Sequence, residues 1–218
     1  MSVLHDPALE GLLDRLHQQS DAQIAEMNDY SGRHDSNPAR LKAFRSDKLV
    51  ALDRDKAELC YQLCRALGAR RIVEIGTSYG VSTLYLAAAL RDTLAAGGEG
   101  IVIGTEYEPA KAAAARAHFD EAGLGRFIEL REGDLRETLK TLAGPVDFVL
   151  VDIWIAMARP AIELVAPHLR PGAIVLCDNT EQYRSLYADY FDFINAPANR
   201  FRTMTLPFGG GLELSVRI

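Results

Sequence analysis

Short apolar runs alternate with helical patterns from residue 71 onward, and this alternation constrains the fold more than any other feature of the chain. The first five runs predict strands at residues 71–75, 100–105, 126–130, 146–151 and 173–177. Helices are predicted after them, at 81–90, 109–122, 135–142, 156–168 and 181–194. Apolar strands joined by helices form parallel sheets covered on both faces, so we predict an α/β fold with a Rossmann-like, doubly wound sheet. Two closely linked strands, 202–206 and 212–216, bring the sheet to seven strands.

The residues before the first strand carry only helical signals. Apolar residues recur at helical spacing over 6–27, which predicts one or two amphipathic helices. Turn-forming residues follow at 30–38, and 41–49 is predicted to be a short helix or irregular. Asp53 is predicted to cap a helix over 54–67 that Gly68 closes.

Composition narrows the class of protein. A chain of 218 residues suggests one domain, and its net charge of −6 argues against a broad nucleic-acid-binding or membrane-binding face. No run of 18 apolar residues occurs, and the first ten residues do not read as a secretory leader. Cys60, Cys64 and Cys177 lack the spacing of a zinc site, so we predict buried, reduced thiols in a cytoplasmic protein.

Ligands of doubly wound sheets bind beyond the carboxyl ends of the strands, which directs attention to the residues there. Residues 76–80, Gly-Thr-Ser-Tyr-Gly, form a loop that lets the backbone approach a ligand, although they match neither the dinucleotide nor the P-loop motif. Glu106 follows the second strand, where a carboxylate can accept hydrogen bonds from both hydroxyls of a ribose. Asp134 follows the third strand and can either contact an adenine amine or cap the next helix.

Three oxygen-bearing side chains follow the fourth and fifth strands. Asp152 ends the fourth strand, and Asp178 and Asn179 end the fifth. Such ligands suit Mg²⁺, Mn²⁺ or Ca²⁺ rather than zinc. The alternative is that Asp178 and Asn179 cap a helix and that Asp152 solvates a strand end.

Together these segments resemble the class I S-adenosylmethionine-dependent methyltransferases, and more narrowly the cation-dependent catechol and caffeoyl-CoA O-methyltransferases. The matching motifs are VEIGTSYGVSTLYLA (73–87), IGTEYEP (103–109), DFVLVDIW (147–154), CDNT (177–180) and LPFGGGLEL (206–214). The resemblance implies an antiparallel last strand, S-adenosylmethionine as cofactor, a small aromatic hydroxylated acceptor, and a homodimer. It divides the chain into a helical extension at 1–52, at the substrate mouth or the dimer contact, and a methyltransferase core at 53–218.

The resemblance also implies site residues. The cofactor would contact Glu74, Gly76, Thr77, Ser78, Tyr79, Gly80, Ser82, Glu106, Tyr107, Gly133, Asp134, Leu135 and Asp152. Asp152, Asp178 and Asn179 would bind the divalent cation, which makes Asp152 the catalytic residue. Trp154 would form a wall for the acceptor or pack in the core.

Two positions depart from the family pattern. Ile155 stands where catechol-type members carry a lysine, and Gly209–Gly211 replace a Gly-Asp-Gly turn. Replacements for the lysine are sought among Lys42, Lys48, His34, Arg159 and Tyr183. A cofactor-binding scaffold without catalysis and a nicotinamide-dependent oxidoreductase remain alternatives to an O-methyltransferase.

Overall fold

The computed structural model describes residues 3–33, 44 and 46–218, and for residues 28–33 it describes the backbone alone. Its α-helices are α1 Pro7–Arg33, α2 Arg54–Leu67, α3 Val81–Leu94, α4 Pro109–Glu121, α5 Leu135–Thr138, α6 Ile155–Val165 and α7 Ala188–Asn195. Its strands are β1 Arg71–Ile75, β2 Ile101–Glu106, β3 Ile128–Glu132, β4 Val146–Val151, β5 Leu169–Asp178, β6 Phe201–Leu206 and β7 Leu212–Arg217.

The strands form one seven-stranded sheet in the order β3-β2-β1-β4-β5-β7-β6. The pairs from β3 to β5 are parallel, while β7 is antiparallel to both β5 and β6. This confirms the predicted mostly parallel sheet with an antiparallel last strand. The chain moves outward from β1 to β3 and then returns to β4, so the order reverses between β1 and β4. A crevice for ligands is expected beyond the carboxyl ends of these two strands.

Apolar side chains cover both faces of the sheet. Alternate residues of β1 belong to different cores: Ile72 packs with α1 to α4, whereas Val73 packs with α5 to α7. Because successive side chains of a strand point to opposite faces, apolar residues are needed at both sets of positions in β1, where Glu74 is a buried charged exception. The predicted continuous apolar strands therefore correspond to a sheet buried on both sides.

The N-terminal helix α1 is part of the first core. Its leucines Leu9, Leu12, Leu13 and Leu16 are at most 3% exposed. The polar run in its middle is also explained, because Ser20 and Gln23 accept hydrogen bonds from the backbone N–H groups of Ala51 (2.9 Å) and Leu49 (2.6 Å). The helix thus fixes residues 49–52, which lie beside the crevice.

The structure confirms some of the predicted helix and strand boundaries and contradicts others. The helix predicted at 54–67 has those bounds, with Asp53 at its N-cap and Gly68 in the left-handed conformation at its end. The turn predicted at 30–38 is wrong over 30–33, where α1 continues as a single helix, and its remainder lies outside the described residues. A glycine costs a helix only about 1 kcal/mol relative to alanine, so Gly32 does not end α1.

Other elements also differ in extent from the prediction. Strand β5 begins at Leu169, because Pro171 and Gly172 form an irregularity inside the strand and pairing resumes at Ile174. Helix α7 begins only at Ala188, and residues 181–187 form turns whose first two N–H groups, of Glu181 and Gln182, donate to the carbonyl of Gly210. Helix α5 ends at Thr138 rather than at 142.

The cysteines behave as predicted, and all three are free and buried.

Among the described residues, no helix combines the length and apolar character that crossing a membrane requires.

At the amino ends of the central strands, opposite the crevice, Asp147 connects β4 to β1 and β5. Its carboxylate accepts hydrogen bonds from the backbone N–H groups of Arg70 and Arg71 (both 2.8 Å) and from Nε of Arg170 (2.5 Å). Burial alone would raise the pKa of Asp147, but the hydrogen bonds from Arg170 and from the two backbone groups outweigh it and lower the pKa. The ionised carboxylate therefore stabilises the starts of β1, β4 and β5.

We predict that Asp147→Asn lowers the free energy of unfolding at pH 7 by about 1.5–3 kcal/mol, the range for hydrogen bonds to a charged group. Because the folded-state pKa lies below the unfolded value, this stabilisation is present above about pH 4 and is lost as the pH falls through the folded-state pKa. Urea unfolding at pH 7 and at pH 3 measures it. The exposed Asp192→Asn is the control, and an equal loss at both pH values would contradict the account.

Candidate active site

The glycine loop after β1 lies directly against the end of β4. Gly76 has a φ of +98°, and a Cβ there would be 2.0 Å from the carbonyl oxygen of Asp152. The N–H of Asp152 in turn donates to the carbonyl of Ile75 at 3.0 Å. Only glycine allows this approach, so the loop opens at the point where the strand order reverses.

Glu74 lies beneath the loop and holds it. Its side chain is fully buried, and its carboxylate accepts hydrogen bonds from the hydroxyls of Ser82 (2.6 Å), Thr77 (2.8 Å) and Thr83. Burial raises the pKa of Glu74, and the three hydroxyls offset part of that rise. Glu74, Thr77 and Ser82 therefore act on the shape of the loop, and direct contact of these residues with a cofactor stays a prediction.

Glu106 faces the same loop from the end of β2. Its carboxylate accepts hydrogen bonds from the backbone N–H groups of Ser78 (2.7 Å) and Glu108 (2.8 Å). The carbonyl of Glu106 accepts from the N–H of Gly133 at 2.8 Å, which brings the end of β3 to the same place. The structure thus gathers the predicted cofactor residues of the first three strand ends along one edge.

Asp134 caps helix α5, as one of the two sequence alternatives predicts. Its carboxylate accepts from the backbone N–H of Arg136 at 2.9 Å and from the Arg136 guanidinium. These hydrogen bonds lower the pKa of Asp134 to about 2. Leu135 is buried, whereas Tyr107 is 68% exposed and open to a ligand. The adenine contact of Asp134 stays a prediction beside its capping role.

The other loop residues shape the crevice. The Tyr79 hydroxyl donates to the carbonyl of Asp47 at 2.6 Å, which ties the loop to the segment after α1. Gly80, with a φ of +82°, lies against the ring of Phe119. Residues 49–52, residues 76–79 and Asp152 line one common crevice.

A buried lysine occupies the end of β5, and the sequence reading missed it. Lys56, in the first turn of α2, is 1% exposed, and its ammonium donates to Oδ1 of Asp178 at 2.7 Å. It also pairs with Oδ2 of Asp53 at 2.8 Å. Burial alone would lower the pKa of Lys56, but the hydrogen bonds to Asp178 and Asp53 outweigh it and raise the pKa. Lys56 is therefore a cation in this site.

Asp152 also lines the crevice, but its carboxyl group has no hydrogen bond or ion pair among the contacts described. Burial, and then the negative charges of Asp178 and Glu74, raise its pKa to about 8, while Lys56 acts in the opposite direction. The negative charge of Asp178 therefore acts directly on Asp152.

The predicted metal ligands do not fit a divalent cation as they are arranged. Both carboxylate oxygens of Asp178 are engaged, one by Lys56 and the other by the side-chain amide of Asn179 at 2.9 Å. The Asn179 oxygen faces Gly210, where a Cβ would be 2.7 Å from it. Within the described part of the chain, no group of three or more His, Cys, Asp or Glu side chains forms a metal-binding cluster.

The structure also tests the residues near the family lysine position. Trp154 is 51% exposed and precedes α6, so the alternative that it packs in the core is wrong. Lys48 pairs with Asp47, Arg159 pairs with Glu163, and the Tyr183 hydroxyl accepts from Gln182. His34 and Lys42 lie outside the described residues.

A second opening adjoins the end of β5. It is a groove of about 590 Å³ between the turns after Asn179 and the loop joining β6 to β7. Its lining combines apolar and polar residues: Glu181, Gln182, Thr205, Leu206, Pro207, Phe208, Gly210 and Gly211. This volume suits a small molecule.

Comparison with known proteins supports the same interpretation. A family model described as a methyltransferase domain matches residues 73–180. A catechol O-methyltransferase of Mycobacterium tuberculosis is 33% identical over 156 residues, which are 69% of this chain and 66% of that protein. An O-methyltransferase by name from Mycolicibacterium smegmatis is 31% identical over 202 residues, 81% of this chain and 93% of that protein.

The fold agrees as well. The structure of the Bacillus cereus O-methyltransferase in complex with SAH superposes with a TM-score of 0.69 at 21% identity, over 93% of this chain and 100% of that one. The chain spans 66% and 53% of the length of two catechol O-methyltransferases that it matches. Together these findings show that the chain belongs to the class I S-adenosylmethionine-dependent methyltransferases, in the group that contains the catechol O-methyltransferases.

Proposed function

We propose that this protein transfers the methyl group of S-adenosylmethionine to a hydroxyl of a small acceptor. The observation that carries the proposal is the joint placement of the glycine loop and Glu106 at the point where the strand order reverses. There the backbone of residues 76–80 turns past the end of β1, where it would meet the methionine end of a cofactor, and the Glu106 carboxylate at the end of the neighbouring strand would hold the ribose. The SAH bound to the related Bacillus cereus fold supports this assignment.

The charge of the crevice suits this cofactor. S-adenosylmethionine carries a positive sulfonium, and the carboxylates of Glu106 and Asp178 are negative groups at the strand ends beside the loop. Methyl transfer is an in-line displacement: the acceptor oxygen forms a bond to the methyl carbon as the carbon–sulfur bond breaks, the bonding electrons leave with the sulfur of S-adenosylhomocysteine, and the hydroxyl proton passes to solvent. The protein must therefore align the oxygen with the methyl group and exclude competing water. We place the reacting oxygen beside Asp152, which lines the crevice with the loop.

The acceptor would enter through the groove beside β5 and would contact the exposed indole of Trp154. Trp154 follows Asp152 by two residues and directly precedes α6, so it stands just beyond the end of β4. An exposed aromatic face offers stacking and apolar area to an aromatic acceptor. A phenol or catechol is the acceptor class that this combination favours.

We predict that Glu106→Gln weakens SAH binding about tenfold or more, equivalent to about 1.4 kcal/mol, because an amide offers one acceptor oxygen instead of two. Isothermal titration calorimetry with SAH measures the loss. Glu108→Gln is the matched control, since Glu108 stands two residues further on at the N-cap of α4. Equal affinities of the Glu106 variant and the wild type would remove Glu106 from the ribose site.

We predict that Trp154→Ala raises KM for a phenolic acceptor about tenfold, at little cost to kcat or to the affinity for SAH, because it removes aromatic contact area. Steady-state kinetics with an accepted catechol measures the split between KM and kcat. The matched control is Met204→Ala, which removes an exposed apolar side chain from β6. An unchanged KM would place the acceptor elsewhere.

Incubation with methyl-labelled S-adenosylmethionine and a panel of phenols, catechols and aliphatic alcohols tests the function itself. Label is expected on the oxygen of at least one aromatic acceptor. If SAH binds but no acceptor is labelled, the scaffold alternative replaces the proposal. If NAD(H) binds and SAH does not, the oxidoreductase alternative does.

A further inference from the structure

The end of β5 contains a complete, buried charge arrangement made only of protein groups. The ammonium of Lys56 lies between the carboxylates of Asp178 and Asp53, at 2.7 and 2.8 Å. Lys56 is 1% exposed, whereas Asp53 reaches solvent with a side chain that is 58% exposed. An ammonium buried this deeply needs such partners, because burying an unpaired charge is strongly unfavourable.

This arrangement competes with a divalent cation for the same atoms. Oδ1 of Asp178 accepts from Lys56 and Oδ2 from the amide of Asn179. A cation bound to Asp178 would stand within a few ångströms of the ammonium and be repelled by it. It would also require Asn179 to turn its oxygen away from Gly210.

The fold fixes the position of Lys56, which is not a mobile side chain on the surface. Lys56 belongs to the first turn of α2, whose Ala57, Cys60 and Cys64 are buried in the first core. Helix α2 packs on α3, the helix that follows the glycine loop. The ammonium is thus held in register with the end of β5 by the same core that shapes the cofactor loop.

We infer that the ammonium of Lys56 is the resident cation of this site, supplying at Asp178 the positive charge that the sequence pattern assigns to a divalent metal ion. The inference rests on the proposed function only for what the charge serves, since metal binding is measured without methyl transfer. Lys56 then acts as a positioning residue that holds Asp178 and compensates its charge next to Asp152. Methyl transfer by the wild type is accordingly expected to persist in the presence of EDTA.

The test is a Mn²⁺ titration of the full chain saturated with SAH, followed by electron paramagnetic resonance of the free ion and by calorimetry. Wild type and Lys56→Gln are compared, with Lys140→Gln as the matched control because Lys140 is an exposed lysine paired with Glu137. SAH affinity is recorded in the same samples, so a failure of the proposed cofactor site is distinguished from a failure of this inference. Circular dichroism confirms that each variant is folded.

The expected result is no stoichiometric Mn²⁺ binding by the wild type or the Lys140 variant, and a gain of at least about tenfold in Mn²⁺ affinity for Lys56→Gln, whose Asp178 is released from its ammonium. One Mn²⁺ bound per wild-type chain, lost in Asp178→Asn, would overturn the inference. A folded Lys56→Gln that gains no metal affinity would overturn it as well. If Lys56→Gln does not fold, the wild-type titration and its Asp178→Asn control decide the matter alone.

Discussion

Mutual repulsion among acidic side chains is the constraint around which the carboxyl edge of this sheet is built. Glu74, Glu106, Asp152 and Asp178 stand at the ends of four neighbouring strands, and each has a different environment. Hydroxyl groups stabilise Glu74, backbone N–H groups stabilise Glu106, and an ammonium stabilises Asp178. Asp152 has the least compensation, and its pKa is raised accordingly.

These interactions link the charges to the backbone. The hydroxyls that serve Glu74 come from the glycine loop and from the first turn of α3, so compensating this carboxylate also sets the conformation of the loop. Glu106 orders the same loop through the N–H of Ser78. Lys56 ties α2 to the end of β5. A crevice that is acidic and yet rigid follows from these three connections, and it matches a cofactor that carries a sulfonium and a ribose.

The sequence was most informative where one local signal decides the structure. Asp53 and Gly68 mark the two ends of α2 correctly, because such signals act within a few residues of the helix end where they stand, although the Asp53 side chain makes no capping hydrogen bond. The acidic residues at strand ends were also located correctly, since parallel strands must align their carboxyl ends. The segment at 181–187 was predicted as helix and forms turns, and its first two N–H groups donate to Gly210, a contact about thirty residues away that the local pattern does not reveal.

Lys56 shows most clearly which part of the site the sequence alone conceals. In the sequence it is one of several charged residues at the start of a helix, and its spacing from Asp53 would suit an exposed ion pair. Only the packing of α2 places its ammonium at Asp178, 122 residues further along the chain. Trp154 illustrates the same limit, because both a wall of the site and a core position were compatible with its sequence neighbours.

The most direct test of the whole account is anomalous diffraction from crystals of the full chain grown with SAH and Mn²⁺. The account predicts SAH along residues 76–80 with its ribose at Glu106, Lys56 in contact with Asp178, and no manganese peak at that carboxylate. A manganese peak bound by Asp152 and Asp178, with Lys56 displaced, would contradict it.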